Sequence, residues 1–250
     1  MKHHPCVQGS DLWKSLRLGV PTASEMDRII TAKKWEPTSG SARRAYQVRL
    51  LTELILDSPL DSAVTPAMIH GTDFEAKTKA TYEMLHGVDI EPCGFCTNDE
   101  GTAGASPDGF VGSEGMVECK SPFKPEIHCG YLLNPQTLAD EYWIQAQSQL
   151  YICDGRKWTD LISYFSGMPM VTIRVTPHAE FQQKLDVALR SFVCELSDLV
   201  ERAKAEGWIK EKRESSADHT RDWLTQSDVD ILLAAKQGDY GQPTNQNRIG

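Results

Sequence analysis

The sequence lacks any uninterrupted apolar stretch near the ~18 residues that a membrane span requires. No apolar run follows its start, Met1-Lys2-His3-His4-Pro5-Cys6, so nothing resembles a secretory signal. The expectation is a cytoplasmic chain with no membrane association. A basic excess is missing too: 26 Lys plus Arg stand against 35 Asp plus Glu, a formal net charge of -9. That balance excludes a protein that coats nucleic acid by bulk attraction. It leaves room for an enzyme that handles DNA through a local basic groove around an acidic metal site. Internal repeats and low-complexity tracts are absent. So is a second close cysteine pair. Among Cys6, Cys93, Cys96, Cys119, Cys129, Cys153 and Cys194, only Cys93 and Cys96 are closely spaced. An odd count without a signal peptide indicates reduced thiols. Cys93-Gly94-Phe95-Cys96 can be read as a redox dithiol or as half of a zinc site. However, Cys119 and Cys129 stand ten apart with His128 alone nearby, and residues 97–101 read as a turn, not as the opening of a helix. An iron–sulfur nuclease would want a cysteine cluster near the end of the chain, where Cys194 stands alone. The favoured reading is a pair of ordinary buried thiols.

What is present is the composition of a globular protein, 40% hydrophobic and 24% charged over 250 residues, long enough to bury a core without a metal or disulfide staple. A loop and then a helix are expected over 8–30, with Thr22-Ala23-Ser24-Glu25 in the form of a capping box. Helical periodicity recurs over 42–56 and from about 73 to 86, where Gly87 supplies a stop. Connectors fall at 33–41 and 57–66. Short strands are expected over 88–96, 102–111 and 116–120, then a helix over 141–153 and strands over 161–165 and 171–175. A long amphipathic helix follows over 178–206, with Phe181, Leu185, Ala188, Leu189, Phe192, Leu196 and Leu199 on one side. This order indicates one α/β domain over 1–210 and a polar extension over 211–250, partly helical (222–235) or mobile.

Four segments carry candidate chemistry. In Ser106-Pro107-Asp108-Gly109 an aspartate sits in a tight bend beside a strand. In Val117-Glu118-Cys119-Lys120, alternation puts Glu118 and Lys120 on one face and Val117 and Cys119 on the other. The gap between Asp108 and Glu118 suits a hairpin turning at 112–115, which brings Asp108 beside Glu118 and Lys120. Two acids and a lysine on one small surface make poor core, because each unpaired buried ion costs several kcal/mol. They suit Mg²⁺, a hard cation that takes oxygen ligands, with the Cys119 carbonyl as a candidate third ligand. Lys120 can then orient or help deprotonate a nucleophile, or stabilise developing charge; the bland alternative is a surface Glu118–Lys120 pair. In the third segment, residues 71–75, Glu75 is either the capping-box partner of Thr72 or a residue aimed at the metal. In the fourth, Gln145-Ala146-Gln147-Ser148-Gln149, Gln145 and Gln149 share a helical stripe that is either solvated or in contact with substrate.

Together, the segments 13–19, 22–25, 71–75, 106–109, 118–123 and 145–147 resemble, in order, the lambda-type exonuclease (YqaJ-like viral recombinase) family of the PD-(D/E)xK nucleases. The resemblance covers roughly residues 12–208. It implies a restriction-endonuclease-like α/β core, a mixed central sheet flanked by helices, with the C-terminal extension appended. Asp108, Glu118 and the Cys119 carbonyl would bind Mg²⁺ or Mn²⁺, Glu75 joining them directly or through water. Lys120 would serve the nucleophile and Gln145 would position it. Arg17 and Ser24 would hold a terminal 5′-phosphate, the latter from the first turn of a helix. The implied activity is degradation of one strand of duplex DNA from a 5′ end in a bacterial host cell. It leaves 3′ single-stranded tails for a single-strand annealing partner, and the implied assembly is a homotrimeric ring. Residues such as Lys33, Lys34, Arg43 and Arg44 would supply the DNA track. The rivals are an endonuclease or structure-specific nuclease on the same fold, a non-catalytic subunit that binds DNA ends and, last, a dithiol oxidoreductase.

Overall fold

The computed structural model describes residues 1–60 and 66–209, so the expected helix over 222–235 and mobile end lie outside the described residues. Two sheets form the frame. In the first, β1 (Lys2–His4), β2 (Phe95–Thr97) and β3 (Gly104–Ala105) pair antiparallel in that order. The second runs β4 (Gly109–Val111), β5 (Gly115–Lys120), β6 (Trp158–Ser163), β7 (Val171–Val175). Here β5 and β6 are parallel and the other two pairings antiparallel, so the sheet is mixed, as expected. Parallel neighbours need a long crossover, and the chain supplies it with α4 (Pro125–Leu133) and α5 (Gln136–Ile152).

The N-terminal third departs from the sequence reading. The expected helix within 8–30 divides into α1 (Asp11–Arg17), capped by the Ser10 hydroxyl on the Trp13 N–H, and a 3-10 helix at Ala23–Arg28. The capping box at Thr22 does not form. Glu25 turns its carboxylate to Arg28 and Arg49 instead, because two guanidinium ions hold a carboxylate more strongly than one backbone N–H does. α2 spans Ser41–Leu56, close to expectation. α3 spans Pro66–His86 and so begins seven residues early. A proline is well suited to a first helical position, and Gly71 is absorbed in the interior. Thr72 therefore cannot cap this helix. α4 had no counterpart in the sequence reading.

α5 is the central element, touching both sheets, the 3-10 helix and α6 (Ala179–Ala205). Ala146, Leu150 and Ile152 are buried, and Gln147 ties α5 to the start of α6 through Thr176 O (2.7 Å) and the His178 N–H (2.9 Å). α6 buries Phe181, Leu185, Ala188, Leu189, Phe192 and Leu196 as its pattern predicts. Each such large side chain contributes ~1.5–3 kcal/mol. Leu199 is only half-buried; Val193 and Val200 take the inner positions. Arg43 is buried between α2 and α6, gripped by Glu195 through Nη2 (2.8 Å) and Nε (3.1 Å), and so cannot serve a DNA track. Arg44, Lys33 and Lys34 are exposed.

Candidate active site

The site begins with the β4–β5 hairpin. Gly109 pairs with Val117 and Val111 with Gly115, and the Asp108 N–H donates to Val117 O at 3.0 Å. Gly109 is required here: a Cβ would lie 2.1 Å from Ile90 Cγ2. Alternation along β5 does the rest. Val117 and Cys119 face an apolar cluster with Tyr82, Val111 and Ile162, while Glu118 and Lys120 meet α5. Asp108 is tied back to β5 by its Oδ2, which accepts the Cys119 N–H at 2.5 Å.

Glu118 is 5% exposed and both its oxygens are engaged. Oε1 accepts from Lys120 Nζ (2.9 Å) and Gln145 Nε2 (2.6 Å), and Oε2 from Gln149 Nε2 (2.5 Å). Lys120 also donates to Gln145 Oε1 (3.1 Å) and lies 4.3 Å from the centroid of the Tyr142 ring. Gln145 and Gln149 are therefore not a solvated stripe. They are four residues apart on one helical face and hold the same carboxylate. Gln149 Oε1 is buried with no hydrogen-bond partner.

Burial pulls the Lys120 ammonium down, but Glu118 and then Asp108 outweigh it, so its pKa is raised and the group stays charged. The Asp108 pKa is raised as well, but for a carboxyl the rise favours the neutral form. Desolvation, then Glu118 and Glu75, push its carboxyl well above the usual range, against the Cys119 N–H and Lys120.

α3 brings the third carboxylate. Its Thr78 hydroxyl meets Ser121 Oγ at 3.0 Å, just past β5, and its Tyr82 hydroxyl donates to buried Asp160 on β6 at 2.7 Å. Arg174 holds the same Asp160 at 2.8 and 2.9 Å. One turn from Thr78, Glu75 pairs with Lys79 at 2.5 Å. Lys79 was not foreseen from sequence. It feels Asp108 and Cys119 as well as Glu75, and these outweigh burial to raise its pKa; its only sequence signal is the four-residue spacing from Glu75. The structure thus brings together Glu118, Lys120 and Gln145 in direct contact, with Asp108 and Glu75 within electrostatic reach. The three carboxylates do not all close to within 4.8 Å of one another.

Arg17 and Ser24 line separate concavities. Arg17 lies over the Trp13 ring (4.1 Å to the centroid), in a concavity of about 350 Å³ shared with Lys14, Arg49, Glu25 and Tyr46. Burial lowers its pKa. Ser24 is exposed and shares a second concavity with Tyr142 and Gln145. Ser106 links Arg17 to the hairpin: its hydroxyl accepts from Trp13 Nε1 (2.9 Å) and Arg17 Nη1 (3.4 Å), two residues before Asp108.

The donor set suits a hard divalent cation. Asp108, Glu118, Glu75 and the Cys119 carbonyl offer only oxygen. Burial first, and then Glu118 and Glu75, raise the proton affinity of Asp108, and the part due to the two carboxylates marks a crowding of negative charge that such a cation would relieve.

A model of the YqaJ-like viral recombinase domain matches residues 12–159, which include Asp108, Glu118, Lys120 and Gln145. None of the curated proteins compared with the chain matches it. Among solved structures, the alkaline exonuclease LHK-Exo from Laribacter hongkongensis, in complex with dAMP, superposes with a TM-score of 0.69 at 26% identity. A second structure of LHK-Exo gives 0.66 at 25%; each alignment covers 79% of this chain and 98% of the other. A phage-related exonuclease from Haemophilus somnus 129PT shares the fold, with a TM-score of 0.60 at 12% identity, covering 73% of this chain and 96% of that one.

Proposed function

The chain belongs to the YqaJ-like viral recombinase domain family, and from that premise we propose that it is a Mg²⁺-dependent 5′→3′ exodeoxyribonuclease. It acts on the ends of double-stranded DNA and leaves 3′ single-stranded tails for an annealing partner. The observation that carries the reading is the contact set Glu118–Lys120–Gln145 beside Asp108, on a hairpin and helix inside the family match. LHK-Exo, bound to a deoxynucleotide, supports the substrate class. The nuclease unit is residues 1–210, to which 211–250 is an extension, and the working assembly is a homotrimer around DNA.

Asp108, Glu118 and the Cys119 carbonyl would hold Mg²⁺ or Mn²⁺, with Glu75 joining directly or through water. The ion supplies Lewis-acid neutralisation of the scissile phosphate. The protein's own groups do the positioning. Lys120, fixed by Glu118 and Gln145, places a charged ammonium against the negative charge that grows on the phosphate. A preorganised donor of this kind is worth about 10²–10³ in rate. Gln145 uses its amide to bridge Glu118 and Lys120 and so fixes where the nucleophile is received. Gln149 keeps the far oxygen of Glu118 occupied. Arg17 receives the 5′-phosphate, fixed by Ser106 next to the hairpin that carries Asp108; Ser24 lines a separate concavity and connects with that of Arg17 through the Thr22 hydroxyl at 3.4 Å.

Duplexes labelled at the 5′ or 3′ end, compared with a closed circle in Mg²⁺, test the reading. Early release of the 5′ label as a mononucleotide with the circle spared is expected. Cutting of the circle would replace the exonuclease by an endonuclease. Intact duplex in every lane would leave a subunit that only binds ends.

A further inference from the structure

Away from the carboxylates, β1 and β2 create a second concentration of ligating atoms. Their register sets His3 opposite Cys96, so both side chains leave the same face of the sheet. One ligand atom each from His3, Cys93 and Cys96 all lie within 4.8 Å of one another. The Cys93 and Cys96 sulfurs stand 3.6 Å apart. Two thiolates on one tetrahedral zinc, each ~2.3 Å from the ion, stand ~3.7 Å apart. Cys153, the residue that follows α5, is fully buried and neighbours Cys96, though it lies outside the three-residue cluster that closes to 4.8 Å. All seven cysteines are free.

We propose that His3, Cys93 and Cys96 are the preformed part of a structural zinc site, which the neighbouring Cys153 thiol swings in to complete, joining the N-terminal sheet to the end of α5. Three sulfurs and one imidazole nitrogen are the ligands zinc takes in closed four-coordinate sites, and no carboxylate takes part. His3 Nε2 sits against the Cys93 carbonyl, and with that bond kept Nδ1 would be the nitrogen that takes the ion. A backbone carbonyl on the far nitrogen is the usual way a ligand imidazole is held in orientation. His3 is exposed while Cys93 and Cys96 are buried, which gives the ion a way in and keeps water from the sulfurs. Loading displaces thiol protons as zinc–sulfur bonds form. With no open coordination position the ion holds structure and takes no part in cleavage. Cys6 packs near Cys96 but is only half-buried, and it is not assigned as a ligand.

The test uses the full chain purified without chelator. Denaturation in a chromogenic zinc indicator should release one zinc per chain from wild type and equally from Asp108→Ala, which separates this ion from the carboxylate site. Wild-type protein reloaded with Co²⁺ should show sulfur-to-cobalt charge transfer and the strong visible bands of a tetrahedral site. Cys96→Ser and Cys153→Ser should lose the ion, and Cys6→Ser should keep it. The proposal is overturned if wild type, exposed to excess Zn²⁺ and desalted, holds only traces and its Co²⁺ spectrum lacks the sulfur band. A native Cys93–Cys96 disulfide found by mass spectrometry overturns it too, and retention by Cys153→Ser with loss in Cys6→Ser overturns the choice of fourth ligand.

Discussion

The middle and the C-terminal end of α5 face opposite kinds of donor atom. Midway along it, Gln145 and Gln149 grip Glu118 in a site made of oxygen donors, where each carboxylate is held apart from the others by a lysine or a backbone N–H. At its C-terminal end, buried Cys153 neighbours Cys96, beside the His3–Cys93–Cys96 cluster whose donor atoms already stand within 4.8 Å of one another. The difference follows from what each must do. At the oxygen site the acids are each tied to a donor but stand apart from one another, and burial with the neighbouring carboxylates leaves Asp108 with a strongly raised proton affinity. A site that only holds segments together gains by closing completely.

That contrast can be broken or sharpened by substitution. The largest effect is expected from Lys120→Ala, a loss of at least ~10²–10³ in cleavage rate with an unchanged fold, measured by single-turnover digestion alongside circular dichroism. At the sulfur end, Cys96→Ser should leave the intrinsic chemistry in place but lower Tm. Calorimetry with and without a zinc chelator should show wild type falling toward the variant. Next, Gln149→Ala strips Glu118 Oε2 of its donor in a buried setting, which should cost ~1–3 kcal/mol in urea denaturation. It also removes an amide oxygen that has no partner, so the lower end of that range is expected.

Asp108→Asn gives a smaller effect of opposite sign. The folded state raises the Asp108 pKa, so the native protein favours the neutral carboxyl. Stability from that preference is full below the unfolded carboxylate range and is lost as pH rises through the raised value. In EDTA, wild type should therefore weaken across that window and the Asn variant should not, leaving the variant more stable at neutral pH by ~2–4 °C for each kcal/mol relieved. Smallest is Tyr82→Phe, which removes one bond between α3 and Asp160 while Arg174 keeps its own. A loss of ~0.5–1.5 kcal/mol is expected, with a modest fall in rate as Glu75 is held less firmly.

How much was legible in the sequence depended on how local the determinant was. The hairpin that joins Asp108 to Glu118 and Lys120 follows from turn residues and period-two alternation within thirteen positions. The α6 stripe follows from its 3.6-residue repeat, although the inner face shifted by one residue at Leu199 and Val200. α4 carries no such repeat, and α3 hid its start because Gly71 reads as a break. Long-range pairings had no local trace: Arg43 with Glu195, Lys79 near Asp108, and His3 beside Cys93 and Cys96 across some ninety positions. The favoured reading of Cys93 and Cys96 as buried thiols agrees with their burial and free state, and what the sequence could not show is His3 standing beside them.

The central claim is that Asp108, Glu118 and Lys120 act as one cleavage centre, and a double-mutant cycle on a 5′-labelled linear duplex in Mg²⁺ tests it most directly. Asp108→Ala and Lys120→Ala should each abolish release of the label, and the double variant should be no slower than either alone, all three with native circular dichroism. Near-normal hydrolysis by either folded single variant would contradict it.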